Sequence, residues 1–208
     1  MQIAILGAGN VGLALASALT RRGSAVTLGV PEPAKYAGAV AALGPLARLE
    51  PTAAAIAGAD LVILAVPHAA VADLARSRPE WGGRILVDAT NPLAAGLAGL
   101  TVGTTTSAAE QLAAQAVGAR VVKAFNTTGA ENMADSAYAG GLPLMPVCGD
   151  DAEARGVVLA LATQLGFDAV DFGPLAAARY LEPFAMAWIH LAFRQGYGRR
   201  FAFSMLRR

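Results

Sequence analysis

Residues 2–12, QIAILGAGNVG, decide how the rest of the chain is read. Gln2–Leu6 is a short, mostly apolar and β-branched run, the pattern of a strand buried on both faces. It leads into Gly7-Ala8-Gly9-Asn10-Val11-Gly12, after which Leu13–Arg22 is built from helix formers and closes on Gly23. Strand, glycine turn and helix, in that order, are the context in which G-x-G-x-x-G holds a dinucleotide. Gly7 serves the tight turn, Gly9 lets the backbone approach a pyrophosphate, and Gly12 lets the helix pack on the strand. The helix N-terminus then turns unpaired N–H groups and a positive dipole end towards the phosphates. Gly7, Ala8, Gly9, Asn10, Val11 and Gly12 are therefore candidate cofactor-binding residues. An ordinary glycine-rich turn would share the composition but not the flanking strand and helix.

Composition narrows the remaining classes. With 16 basic and 15 acidic residues in 208, the chain has no charge excess that would announce a polyanionic partner such as nucleic acid. Its 55% hydrophobic content raises the question of a membrane. No apolar run approaches the ~20 residues of a spanning helix, however, and the longest candidate, Phe184–Phe193, contains His190 and is flanked by Glu182 and Arg194. The N-terminus lacks the basic segment of a signal peptide. A lone cysteine, Cys148, forms no internal disulfide and suits a reducing, cytoplasmic setting. Two histidines and one cysteine, far apart in sequence, give no metal-site spacing.

Along the chain, strands ending in small or polar residues alternate with helical stretches, the pattern of a doubly wound, mostly parallel α/β sheet of Rossmann type. Ala25–Gly29 reads as the second strand, whose end meets the adenosine ribose. An acid at its tip would favour NAD and a nearby cation NADP. The tip here is Val30-Pro31, Glu32 comes one turn late, and Lys35 is the nearest cation. That favours NADP with Lys35 on the 2′-phosphate, NAD being the alternative; Lys35 could equally be a solvated helix lysine. Ala34–Leu43 and Pro51–Gly58 read as helices, with a short third strand, Ala47–Glu50, between them.

The apolar strand Leu61–Val66 stops at Pro67-His68, so Ala65, Val66, Pro67 and His68 are placed in the cofactor groove at the carboxyl ends of the strands. His68 could be a catalytic acid, although a residue at this place more often packs against the cofactor. Arg84–Val87 ends at Asp88-Ala89-Thr90-Asn91-Pro92, where Asn91 could bond a nicotinamide carboxamide; turn chemistry explains the same residues. After the loop Ala94–Gly103, Ser107 and Glu110 fit a capping box for the helix Ala108–Val117. Arg120–Phe125 is a further strand, so Lys123 is either at an edge or directed into the groove. Asn126 follows the strand end and is the better site candidate.

Leu144–Cys148 reads as a late strand, and Asp151 as the N-cap of Ala152–Leu165 rather than a metal ligand. Asp168–Phe172 gives another strand before the longest helix, Ala176–Gln195. Its stripe of Leu181, Phe184, Ala185, Trp188, Ile189 and Ala192, widened by Tyr180, Ala187 and Leu191, fits burial in the core plus a subunit contact. Phe201–Leu206 could add an edge strand. The expected organisation is a dinucleotide-binding domain over 1–140 with a C-terminal extension over 141–208 packed on it as one unit.

Four segments carry a family resemblance: the GAGNVG turn, ARVVKAFNT around Asn126, PVCGDDAEA from Pro146 to Ala154, and AVDFGPLAAARYLEP from Ala169 to Pro183. Together they span nearly the whole length, and the chain resembles the NADPH:coenzyme F420 oxidoreductases, which pass hydride between NADP and a deazaflavin. The resemblance implies that Gly7 to Gly12 hold the pyrophosphate. It places nicotinamide beyond Ala65, Ala89, Asn91, Ala124, Phe125 and Asn126. It also implies a homodimer built partly on the C-terminal helix. Two departures stand out. The family's Ser-Arg pair after the second strand is Val30-Pro31 here, and Asn126 replaces a histidine. Lys-Ala-Phe-Asn at this strand end is more similar to the reductase domain of the six-transmembrane metalloreductases, which hand hydride to a flavin.

Hydride transfer between stacked rings depends on positioning and needs no general acid. No Tyr-x-x-x-Lys pair is present, and no long helical second domain follows, so an alcohol or hydroxy-acid dehydrogenase is a poor reading. The sequence thus points to hydride exchange between NADP(H) and coenzyme F420 or a flavin, Asn126 and His68 being the candidate catalytic residues. A ferric-flavin or imine reductase, or a non-catalytic nucleotide sensor, are the alternatives.

Overall fold

The short aliphatic runs pair into one eight-stranded sheet in a computed structural model that describes residues 1–78 and 80–208. The strands are β1 (Ile3–Leu6), β2 (Val26–Val30), β3 (Ala47–Pro51), β4 (Leu61–Leu64), β5 (Ile85–Asp88), β6 (Arg120–Lys123), β7 (Leu144–Gly149) and β8 (Asp168–Asp171). Their order in space is β3-β2-β1-β4-β5-β6-β7-β8. The first six are parallel, β7 runs antiparallel to β6, and β8 runs parallel to β7. The order β3-β2-β1-β4-β5-β6 is that of a Rossmann sheet, and it reverses between β1 and β4, where such sheets bind their ligand. The expected mostly parallel α/β architecture is therefore present.

The helices are α1 (Asn10–Arg21), α2 (Ala37–Ala41), α3 (Thr52–Ala57), α4 (Val71–Arg76), α5 (Ala108–Gln115), α6 (Ala130–Ala134), α7 (Ala152–Gln164) and α8 (Ala178–Phe193). Side chains alternate across the sheet with the strand period of two. Ile3 and Ile5 of β1 enter the layer that includes Leu15 and Leu19 of α1 and Val158 and Leu161 of α7. Ala4 and Leu6 enter the opposite layer, with Ile56 of α3, Trp81, Leu112 of α5 and Leu181 of α8. Both faces of the sheet are thus covered, which is why its strands read as continuous apolar runs.

Several boundaries differ from the sequence reading, each for a local reason. The expected helix over 34–43 is a turn of 3-10 helix, Pro33–Tyr36, followed by α2, because the backbone leaves the α-helical path at Tyr36, with φ −110° and ψ −1°. The C-terminal helix begins as a 3-10 turn over Leu175–Ala177 before α8. Helix α4, unread in the sequence, is one and a half turns long and carries too few residues to show a period. The tail over 201–206 forms no strand. Phe201 instead stacks on Trp188 with ring centroids 5.2 Å apart, and Phe203 lies 4.8 Å from Phe184, so both rings seal the outer face of α8. The two expected caps are in place. Ser107 Oγ accepts from the Glu110 N–H at 3.1 Å, and Asp151 Oδ1 from the Ala154 N–H at 2.7 Å.

Candidate active site

The site is built at the carboxyl edge of β1, β4, β5 and β6. Gly7 leaves β1 with φ +105°, a left-handed value that favours glycine, while its N–H donates to the Gly29 carbonyl at 2.9 Å. A Cβ there would stand 2.5 Å from the Ala65 carbonyl oxygen, and one on Gly12 would overlap the Gly7 carbonyl oxygen. Gly9 is different. It has φ −82° and ψ −169°, and a Cβ would meet no protein atom within 4 Å. Its missing side chain therefore relieves no clash inside the protein and keeps space open above the turn. Gly9 is also the N-cap of α1, with no side-chain cap and no acid in the first turn. The N–H groups of a twelve-residue helix thus remain available to an anion. A pyrophosphate fits this turn.

Beyond the turn lies an open cleft of about 580 Å³ lined by Val11, Val66, Pro67, His68, Ala89, Thr90, Asn91, Leu93 and Thr101, among others. Among the described residues its walls carry no carboxylate and no lysine or arginine. His68 begins a short 3-10 turn after β4, and its Nδ1 is buried without a hydrogen-bond partner among the described residues. Asn91 and Asn126 join the ends of β5 and β6. Asn91 Nδ2 donates to the Asn126 carbonyl at 2.8 Å, and Asn126 Nδ2 donates to Asn91 Oδ1 at 3.0 Å and to the Leu181 carbonyl at 3.2 Å. This fixes the orientation of the Asn126 amide and leaves its Oδ1 buried without a donor among the described residues. The orphaned acceptor lies beside Asn91, which lines the cleft, whereas Asn126 is not among the cleft-lining residues.

The backbone reaches Asn126 through Phe125, at φ +61°. That value is costly for a bulky residue and persists only where the surroundings over-determine it. Phe125 is fully buried, edge-on to Phe167, and its N–H donates to Met145 Sδ at 3.1 Å. Ala124, Phe125 and Val30 all point into the core, so they shape the site through backbone alone.

Lys123 is neither at an edge nor in the groove, the two positions its sequence allowed. It is fully buried, and Nζ donates to Asp88 Oδ2 at 2.8 Å, Glu182 Oε1 at 2.9 Å and the Thr90 carbonyl at 2.8 Å. Burial pushes its pKa down, but the two carboxylates outweigh that and hold it above the ordinary lysine value. Glu182 also accepts from the Ala108 and Ala109 N–H groups at the start of α5, whose dipole offsets the extra negative charge. Asp88 Oδ1 accepts from the Thr90 N–H at 2.9 Å and hydroxyl at 2.7 Å. One ammonium thus ties α8 and α5 to the loop that presents Asn91. The sequence hid this network because its partners lie 35 and 59 residues from Lys123. The local signs were Lys123 itself inside an apolar strand and an acid, Glu182, inside an apolar helix. Past the tip of β2, Lys35 Nζ lies 2.7 Å from Glu32 Oε1, both side chains being exposed.

A Rossmann sheet with an open glycine turn, and a cleft at the strand ends beyond it, defines the class: a dinucleotide-binding domain of Rossmann type. Residues 2–92 match the model of the family described as NADP oxidoreductase, coenzyme F420-dependent. A protein of Arthrobacter sp. FB24, described as an F420-dependent NADP reductase, is 34% identical, covers 100% of both chains and superposes with a TM-score of 0.89. A hypothetical protein from Sinorhizobium meliloti is 32% identical over 86% of this chain and 88% of its own, with a TM-score of 0.79. The metalloreductase STEAP3 of Rattus norvegicus is 30% identical over 87% of this chain, which spans 36% of that protein's length. The chain belongs to the family of coenzyme F420-dependent NADP oxidoreductases, and it is an NAD(P)H-dependent oxidoreductase. Among the described residues no helix is long and apolar enough to cross a membrane.

Proposed function

We propose that the chain transfers hydride between a nicotinamide dinucleotide and a second planar ring, a deazaflavin of the F420 type or a flavin. The observation that carries this reading is the cleft beside the glycine turn. Its walls, from Val11 to Thr101, supply apolar surface, the Asn91 amide, two threonine hydroxyls and the His68 imidazole, but among the described residues no carboxylate, lysine or arginine. Such walls suit a reaction whose demand is to hold two rings face to face and exclude water. The bound dinucleotide supplies the hydride. The residues do the rest: Gly7 to Gly12 and the start of α1 hold the pyrophosphate, and Val30 and Lys35 stand at the adenosine end. Asn126 Oδ1 accepts from the carboxamide, Asn91 holds Asn126 in place, and Ala65 to His68 and Ala89 wall the nicotinamide.

The experiment is steady-state oxidation of NADPH and NADH by the purified chain with F420, FMN, FAD, a ketone and an imine as acceptors. Oxidation by F420 or a flavin and by neither carbonyl nor imine is expected. Turnover with a ketone or imine alone overturns the ring acceptor. Binding with no turnover on any of them leaves a nucleotide sensor. The likeness to the metalloreductase favours a flavin as the specific second reading, and FMN or FAD outpacing F420 selects it.

The same reading has two copies pairing through α8 in the cytoplasm. In its support, Tyr180, Phe193 and Tyr197 are 73%, 49% and 71% exposed along that helix and just after it. Exposed aromatic surface of this kind is where subunits meet. Light scattering that gives the mass of one chain at micromolar concentration would dismiss the pairing.

A further inference from the structure

With the pyrophosphate on the glycine turn, the adenosine ribose of a bound dinucleotide lies over the tip of β2. From Gly23 to Ala47 the chain has one acid, Glu32, and one base, Lys35. Val30, the last residue of β2, is buried, and Pro31 has no side-chain donor, so neither can recognise a ribose substituent by its side chain. Glu32 comes next, with its side chain 62% exposed. Pro33 then opens the 3-10 turn that brings Lys35 back over Glu32, and the ammonium engages Oε1 at 2.7 Å. On the neighbouring strand the exposed Glu50, paired in register with Gly29, is matched by the exposed Arg48, paired with Thr27, so that strand adds no net charge at this edge.

We propose that Glu32, oriented by Lys35, accepts hydrogen bonds from the 2′- and 3′-hydroxyls of the adenosine ribose, so that this chain binds NADH more tightly than NADPH. The proposal rests on the glycine turn being the cofactor loop. An ionised carboxylate only accepts, and a ribose diol offers two O–H donors, so the groups match. A 2′-phosphate brings acceptors and about two negative charges to a place where the first group it meets is another anion. The ammonium that would have to neutralise it is already on Glu32. To serve a phosphate, Lys35 would have to leave that carboxylate and expose the phosphate to it. The family description names NADP; the residues of this chain at the ribose favour the dinucleotide without the phosphate.

The test is calorimetric titration of the whole chain with NADH and NADPH, and with ADP-ribose and its 2′-phosphate, which probe the adenosine end without nicotinamide. The expected result is NADH tighter than NADPH by about tenfold or more, the worth of hydrogen bonds to a charged acceptor. ADP-ribose should exceed its 2′-phosphate by a similar factor. Glu32→Gln should weaken NADH and bring the two affinities together, and Glu32→Arg should reverse the order. Equal or tighter binding of NADPH by the unaltered chain overturns the proposal, as does a Glu32→Gln variant with unchanged NADH affinity. Binding of none of the four overturns the cofactor loop itself, which is a different failure from a wrong order of affinities.

Discussion

Asn91 and Asn126 clasp each other across the ends of β5 and β6, each amide nitrogen bonded to an oxygen of the other residue at 2.8 and 3.0 Å. Two strand ends that would otherwise be independent loops become one rigid rim. The one acceptor the clasp leaves over, Asn126 Oδ1, lies at the edge where a nicotinamide is expected.

Asn126→Ala removes both that acceptor and the donor to Asn91. Turnover should fall about 10- to 100-fold, the scale of an ångström's misplacement of a reacting group. Affinity for ADP-ribose, which never reaches this rim, should be unchanged. An equal loss of ADP-ribose affinity would show that the substitution disturbs the whole groove.

The glycines of the turn should separate by function. Gly9→Val places its Cβ where no described protein atom lies within 4 Å, so the melting temperature should hold while dinucleotide affinity is lost. Gly12→Ala drives a methyl group into the Gly7 carbonyl and should cost on the order of 3 kcal/mol of stability whether or not ligand is present. Denaturant unfolding and titration of both variants check the pair. Unaltered binding by Gly9→Val would move the pyrophosphate elsewhere.

Lys123→Met strands Asp88 and Glu182 as buried carboxylates without their cation. The expected loss is about 3–5 kcal/mol, the usual consequence of removing one partner from a buried ion pair. Glu182→Gln keeps an acceptor for the α5 N–H groups and one intact pair, so it should cost clearly less. If the two variants unfold at the same denaturant concentration, the ammonium does not hold the network together.

Stability should decline at alkaline pH for two reasons of the same sign. Burial raises the Cys148 thiol to about 12, so above the ordinary value of 9.0 the unfolded chain loses a proton that the folded chain keeps. Lys123 is held above 10.5 when folded, so above that pH the unfolded chain again releases a proton first. In both windows the unfolded state binds fewer protons, and the free energy of unfolding falls as pH rises. Below pH 9 neither group contributes a slope. A thiol reagent at pH 8 should accordingly label Cys148 only after unfolding, and rapid labelling of the native chain would contradict its burial.

The parts of the fold that were legible in sequence are those whose requirements are met by neighbours. The turn, its strand and its helix were readable because Gly7, Gly9 and Gly12 fall within six residues, directly between a strand and a helix that are contiguous with them in sequence. The caps at Ser107 and Asp151 were readable for the same reason, since each serves an N–H three residues on. The carboxyl ends of β4, β5 and β6 were placed to within two residues, because apolar runs stop near them in small or polar residues. The buried triad was out of reach, since nothing near Lys123 shows that Glu182 will return to it. Nor does phenylalanine signal a positive φ, so the turn at Phe125 that aims Asn126 had no trace in the sequence. The tail misled for a physical reason. Phe201 and Phe203 alternate like a strand, but their rings serve Trp188 and Phe184, while their carbonyls accept from Trp188, Asn132 and Leu144.

The decisive experiment is a single turnover without oxygen. Reduced dinucleotide is bound to excess protein, NADH and NADPH in separate runs, and F420 or FMN is then added. Dihydronicotinamide absorbance and the oxidised ring's band should vanish together, one for one, and the Gly9→Val protein should leave both unchanged. Dinucleotide that binds the native chain and keeps its absorbance in the presence of either ring would contradict hydride transfer at this site.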